Sequence, residues 1–473
     1  MGYKTPERMR QFFSPENIAV VGASENNQWF FNMLGNASLL GFQGRFYPVN
    51  PRADEVCGIR AYRSIGSLPK GVIDFAVVMV KSTLVPDTVR DLHDQGINNI
   101  LLISSGFAET GGDGLSLQRE IQNFCRDNGI LLMGPNCLGF MNFASKTSVF
   151  VGGSIEGKPV SGNIGVIGQS GASSEMIISK LLMKSCGVSL YVTTGNEASM
   201  TAEDCMDYLI HDPSTKVIAA FMEGFRDFGT LRSLATTAAR KNIPIVLIKI
   251  GRSETGRKAA QSHTGALAGN DAIVDGVFQQ LGIIRAESIE ELVETASLFS
   301  RYDLPEGDRV GIYTLSGGLC GLYADLCDTY GIDLPPFQET TRTALKAHLP
   351  AFAAPDNPLD VTGAGFRAGL THILELLIQD DNLDIILPLC IPPQGDLDAF
   401  AQSINEAFLS LAGTRRKLVI PITFREVSEF AKTYFSSRGI TYIDQPGIGF
   451  KALSHMIRYA SFVKRYQATE NPD

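Results

Sequence analysis

The stretch NIGVIGQSGASSEMIISKLLMK, residues 163–184, changes period partway along. Its first six residues form an apolar run of strand length. The remainder places apolar residues at helical spacing, with Gln-Ser-Gly-Ala at the join. A buried strand that passes through small residues into a helix is the repeating unit of a parallel α/β sheet. The same rhythm extends in both directions. Upstream run NIAVVGAS, GRFYPVNP, VIDFAVVMV, INNILLISSGF and GILLMGPN, with helical stretches such as PDTVRDLHDQG between them. Downstream come VSLYVTTGN, KVIAAFMEGF, IPIVLIKIG and the acidic helix SIEELVETASLFSRY, then RVGIYTLSGG, DIILPLCIPP, KLVIPITF and ITYIDQ. These sets predict an α/β chain of three doubly wound parallel-sheet domains. A Rossmann-like domain covers 1–145, a flavodoxin-like domain 146–303 and a second flavodoxin-like domain 304–473. The stretch ASKTSVFVGGSIEGKPVSG reads as a linker with a hairpin, and DLPEGDR as the later boundary.

With 473 residues the chain is too long for a single core. A hydrophobic content of 44% with 19% charged residues is that of a globular protein. The net charge of −9 argues against nucleic-acid and anionic-membrane partners. The longest apolar runs are strand-length, and MGYKTPERMRQFFSPENIAVVGAS shows no apolar leader or cleavage pattern. The eight cysteines include no CxxC pair, so neither a disulfide framework nor a zinc site is expected. These features predict a cytoplasmic protein with no metal site of its own.

Ligands of doubly wound sheets bind at the carboxyl ends of the strands. In the first domain four loops occupy that position: VGASENN, YPVNPRADEV, SSGFAETGGDG and MGPNCLGF. Gly22 permits a tight turn and a close approach of backbone to phosphate. The spacing is not G-x-G-x-x-G, which disfavours a dinucleotide. Arg52 is the natural phosphate partner, or else a plain surface arginine. In the second domain Ser170, Gly171 and Ala172 stand where strand gives way to helix, leaving the first N–H groups open to an anion. The alternative there is an N-cap serine.

The segment AAQSHTGALAG, residues 259–269, holds one of only six histidines in the chain, His263, among small residues that precede a helix. A neutral imidazole beside a phosphate-sized cradle can attack phosphorus and give a phosphoramidate. Such a nucleophile needs an acceptor on its other nitrogen. Glu223, at the carboxyl end of KVIAAFMEGF, is the candidate, although taken singly it is an ordinary strand-end carboxylate.

VGAS, YPVNP, SSGFAE and GPNCLG, in this order, resemble the CoA-binding domain of the ADP-forming acyl-CoA synthetases, relatives of the succinyl-CoA synthetase α subunit. QSGA, MEGF, TGNEA and SHTGALAG are similar to that family's phosphate-binding helix start, orienting glutamate, a nearby loop and the phosphohistidine segment. TLSGGLCGLYADLC and NPLDVTG resemble its small domain. The resemblance implies CoA as ligand, lined by Gly22, Ser24, Asn50, Pro51, Arg52, Phe107, Glu109 and Asn136. It implies a phosphoryl carrier at His263 oriented by Glu223, and phosphate contacts from Ser170, Gly171, Ala172, Ser262, Thr264 and Gly265. Glu175 and Asn196 become candidates for contact with the acid. ENNQWFFNML departs from the family's glycine- and lysine-rich stretch after VGAS. Glu175 replaces an aromatic residue and suggests an acid bearing a cationic or hydroxyl group, unless it faces solvent or caps its helix.

Within these residues nothing reads as the family's ATP-grasp module. The resemblance therefore implies an α-type subunit that converts a small carboxylic acid and CoA. ATP/ADP and Mg2+ would then be held by a separate ATP-grasp β subunit, in an assembly such as α2β2, with phosphate as co-product. The competing readings are a non-catalytic CoA-binding regulatory or scaffold protein and a component of a protein acyltransferase system.

Overall fold

The computed structural model describes residues 4–153, 155–258, 271–362, 369–412, 417–423 and 425–470. They form two compact units, Met1–Ile289 and Glu290–Asp473, and the first unit holds two sheets.

The first sheet is built from β1 (Asn17–Val21), β2 (Arg45–Val49), β5 (Phe75–Val78), β6 (Asn99–Leu102) and β7 (Leu131–Met133). All are parallel, in the order β2-β1-β5-β6-β7, and a small hairpin of β3 (Glu55–Val56) and β4 (Ile59–Arg60) stands apart. The second sheet runs β14-β13-β12-β10-β11-β8-β9. Its parallel strands are β10 (Ser161–Gly168), β11 (Val188–Thr193), β12 (Val217–Met222), β13 (Ile245–Lys249) and β14 (Ile284–Arg285). A hairpin forms here, but it starts ahead of the stretch read as linker: β8 (Phe140–Asn142) lies upstream of it and only β9 (Thr147–Ser148) falls within it. The hairpin adds antiparallel to β11 and so extends this sheet.

In the second unit β15 (Val310–Thr314), β16 (Leu359–Asp360), β17 (Ile385–Cys390), β18 (Leu418–Val419) and β19 (Ile422–Thr423) are likewise parallel, in the order β16-β15-β17-β18 with β19 beside β17. KLVIPITF is thus split into two short strands. ITYIDQ contributes a single bridge, Ile443 to Ile422, in place of the expected strand. The helix Ile289–Arg301 falls almost wholly in this unit. Counted by parallel strands alone, each sheet begins 2-1-3-4, the doubly wound order whose crevice opens beside its first strand. The runs FAVV of β5, VSLYVT of β11 and IVLIK of β13 are buried at every position, as strands covered on both faces must be.

What joins the first two sheets is α1 (Pro6–Phe13). Thr5 caps it and Pro6 fits its first turn, where a missing N–H costs nothing. Its Phe12 ring packs 5.0 Å from Phe75 of the first sheet. Phe13 packs 5.1 Å from Phe140 of the second sheet and 4.9 Å from Tyr208. Buried residues of both sheets therefore belong to one continuous core.

Candidate active site

At the carboxyl end of β1 the chain turns through Gly22, whose φ is +94°. A Cβ there would lie 2.9 Å from the Met79 carbonyl oxygen, so only glycine fits. The Asn50 side chain spans two loops. Its amide donates to Ala23 O at 2.8 Å, and its oxygen accepts from the Arg52 and Ala53 N–H groups at 2.8 and 3.1 Å. Pro51 and Arg52 stand exposed at the rim, and the Arg52 guanidinium has no partner among the described residues. Ser24 lies half-buried, its carbonyl accepting from Asn27 N. Asn27 in turn caps α2 (Gln28–Leu40), taking the Trp29 and Phe30 N–H groups. In ENNQWFFNML, then, the first helical N–H groups are already engaged by a side chain.

The other two loops of the first sheet reach the second. The Phe107 ring is fully buried in the first sheet's core, beneath its loop. Glu109 folds back on that loop and accepts from Gly106 N at 2.6 Å and Phe107 N at 3.2 Å. Its other oxygen accepts from the Asn196 amide at 2.5 Å. Burial alone would raise the Glu109 carboxyl, but these donors outweigh it and hold the pKa below the ordinary value. Asn136, at φ +58°, donates to Asn196 Oδ1 at 3.3 Å. Gly195 packs so closely on Pro135 that a Cβ would sit 2.3 Å from its carbonyl oxygen. Asn196 is thereby fixed against both loops of the first sheet.

In the second sheet, β10 leads through Gln169 and Ser170 into α5 (Gly171–Met183). The Ser170 side chain makes no capping hydrogen bond and instead lies 3.3 Å from the Ser173 hydroxyl. Ser170 thus holds the N-cap position without capping through its side chain, and the first N–H groups of α5 are left to another acceptor. Glu175 is half-buried on α5 beside Gly153, and burial raises its pKa. Glu223, buried, follows β12 directly.

Four residues that the sequence did not single out organise this end of the sheet. The Gln169 oxygen accepts from Glu223 N at 2.6 Å and Gly224 N at 3.0 Å. Its amide donates to Gly224 O at 3.0 Å and Glu197 Oε1 at 2.9 Å. Glu197 is only 4% exposed and holds φ at +58°, a conformation that is strained for a residue other than glycine. Burial raises its pKa first, with Gln169 and Arg226 acting the other way. Arg226 reaches Glu197 Oε2 at 3.4 Å and the carbonyls of Asn196 and Glu197 at 2.9 and 3.1 Å. Lys249 ends β13, in register with Met222. A carboxylate and an amide in TGNEA and GQSG were the available signals. Only the fold shows that they face one another. Ser262, His263, Thr264 and Gly265 lie outside the described residues. Among those described, no cluster of histidine, cysteine and carboxylate could hold a metal, and all eight cysteines are free thiols.

The two sheets, whose loops meet near an open helix end, match the families that define the class of protein: a CoA binding domain followed by a succinyl-CoA ligase like domain. Residues 16–142 match the CoA binding domain family, and 161–299 match the succinyl-CoA ligase like flavodoxin domain. The chain is 35% identical over 385 residues to the Pyrococcus furiosus acetate–CoA ligase [ADP-forming] II subunit alpha, covering 81% of this chain and 82% of that one. It is 32% identical to the Archaeoglobus fulgidus acetate–CoA ligase [ADP-forming] I, over 98% of this chain but 66% of that longer relative. A Ca. Korarchaeum cryptofilum dinucleotide forming acetyl-coenzyme A synthetase 1, solved with phosphate and ADP, superposes with a TM-score of 0.84 at 29% identity, covering 99% of this chain and 100% of that one. The chain belongs to the ADP-forming acyl-CoA synthetase family.

Proposed function

We propose that this chain is the α-type subunit of an ADP-forming acid–CoA ligase, interconverting carboxylic acid, CoA and ATP with acyl-CoA, ADP and phosphate. The observation that carries the reading is the uncapped N-terminus of α5, tied through Gln169 to the backbone of Glu223. A helix end left open beside a buried carboxylate suits a phosphoryl group handled by a nucleophile that the carboxylate orients.

In this reading His263 takes the phosphoryl group from ATP as ADP leaves, and Glu223 accepts from the other ring N–H and steadies the imidazolium charge. His263 then passes the phosphoryl group to the acid, which becomes an acyl phosphate. Ser170, Gly171 and Ala172, with Ser262, Thr264 and Gly265, hold the phosphate released when the acyl group moves to sulfur. CoA lies along the first sheet, with backbone at Gly22 and Ser24 close to its phosphates and Arg52 paired to one of them. Asn50, Pro51 and Asn136 shape the groove. Phe107 and Glu109 support it from beneath. Asn196 and Glu175 face the acid. ATP with Mg2+ is held by a separate ATP-grasp β subunit, in a cytoplasmic hetero-oligomer such as α2β2. The name of the Pyrococcus relative, a subunit alpha, supports the separate chain. No helix among the described residues is long and apolar enough to cross a membrane.

The test is incubation with ATP and the β-type partner, followed by assay for an acid-labile, base-stable phosphoryl group. Wild type takes up label and His263→Ala does not. Absence of label from wild type, or equal label in the variant, overturns the reading. CoA binding without label would mark a regulatory or scaffold protein instead.

A further inference from the structure

The charged groups at the carboxyl ends of β12, β13 and β14 are unevenly used. Arg285 has its charge matched: Nη1 meets Asp275 at 2.6 Å, and Nη2 meets Asp271 at 2.8 Å and Lys249 O at 3.0 Å, although its Nε has no partner among the described residues. Lys249 is different. It is 8% exposed, yet its ammonium donates to one acceptor among the described residues, the carbonyl of Ile250 at 2.7 Å. An ammonium has three N–H groups and is costly to bury without partners. Two of those groups have no acceptor among the described residues. The strand order β13-β12-β10 sets Lys249 next to Glu223 and two strands from the open end of α5.

We propose that Lys249 is a phosphoryl-binding residue of this site, its two uncommitted N–H groups donating to the oxygens of the phosphoryl group handled at the ends of β10, β12 and β13. This rests on the phosphoryl-carrier reading above. The chemistry requires such a cation. Glu223 is a buried carboxylate and a phosphoryl group is an anion, so the two repel in one desolvated cavity unless a positive charge stands between them. Arg285 is neutralised by two aspartates, which leaves Lys249. Burial, and then Arg285, lowers the Lys249 pKa, while Asp271 and Glu223 oppose the shift.

The experiment uses the full chain in two arms. Inorganic phosphate binding is measured by calorimetry, and acid-labile phosphoryl uptake is measured with acetyl phosphate as donor. Lys249→Met should weaken phosphate binding about 10–100-fold, the loss expected for charge-assisted hydrogen bonds. Lys249→Arg should retain most of it. Phosphate is a constant dianion between about pH 8 and pH 10, so a fall in wild-type affinity over that range that Lys249→Arg does not share reports loss of the ammonium. A purely structural lysine would not give that contrast. Phosphate affinity in Lys249→Met within threefold of wild type overturns the proposal, as does wild type that binds no phosphate. If Lys249→Met does not fold, Lys249→Gln, which keeps a polar end without the charge, replaces it under the same threshold. Phosphate bound through Lys249 with no label on wild type would leave this inference standing and remove the carrier reading.

Discussion

Gln169→Glu is the sharpest single test of the hydrogen-bond arrangement around Glu223. The new side chain has nearly the same shape and keeps an oxygen where Glu223 N and Gly224 N donate. The amide that donated to Glu197 Oε1 at 2.9 Å becomes a second carboxylate oxygen. With charge centres about 4 Å apart and an effective dielectric near 20, the repulsion is roughly 4 kcal/mol, or about 3 pKa units. Glu197 is already raised by burial, so the pair takes up one shared proton more readily than Glu197 does alone. A pKa raised by folding contributes stability that is complete at low pH and is lost as pH climbs through the raised value. The deficit against wild type should therefore be larger at pH 8 than at pH 5, with about 4 kcal/mol as its ceiling. The single tryptophan, Trp29, lies in the first unit and reports its urea unfolding by fluorescence. Adding Glu197→Gln restores a donor opposite the new carboxylate and should recover most of the loss at pH 8. A deficit equal at both pH values, or no recovery in the double variant, refutes the geometry.

Arg52→Ala should raise the Kd for CoA about tenfold or more, with kcat within twofold, because a rim arginine contributes to binding and not to the reacting atoms; calorimetry and initial rates check it. Glu109→Gln removes a carboxylate whose pKa is lowered on folding. Its effect on stability should therefore be present near neutrality and vanish as pH falls through the lowered carboxylate range, as urea midpoints from pH 7 down to pH 3 would show. Glu175→Ala should lower the kcat/KM ratio of a hydroxy acid over acetate about tenfold; an unchanged ratio removes Glu175 from the acid pocket.

Strands ending in small-residue turns were legible because burial on both faces leaves continuous apolar runs such as IPIVLIKI. Period then separates those runs from the helices. ITYIDQ misled because its apolar residues are buried by packing, with a single bridge in place of a ladder. Loop residues whose chemistry is local were legible too: Gly22 for its turn, and Ser170 to Ala172 for the open helix. Gln169, Glu197, Arg226 and Lys249 were not. Their roles depend on which strand ends lie side by side, and strand order is a tertiary fact. Glu197 is the clearest case. Read along the chain it is one polar residue in a TGNEA turn, whereas in the fold four neighbours saturate a buried charge.

Those same residues close a continuous path. Glu109 accepts from Asn196, whose carbonyl accepts from Arg226. Arg226 meets Glu197, which accepts from Gln169, and Gln169 holds the backbone of Glu223. The path runs from a loop of the CoA-binding sheet to the carboxylate proposed to orient the phosphoryl carrier. Hydrogen bonds in series do not by themselves transmit a signal, since coupling needs an element with two arrangements. What they do is fix distance. In the proposed reaction an acyl phosphate made on one sheet would have to meet a thiol held on the other, and misplacement by about 1 Å is enough to cost about 10²-fold in rate. A path of polar groups bonded to one another sets that spacing more rigidly than apolar packing alone, because each partner fixes direction as well as contact. It also accounts for the strained backbone at Glu197: the cost of positive φ is offset by placing one carboxylate where Gln169 and Arg226 can both reach it.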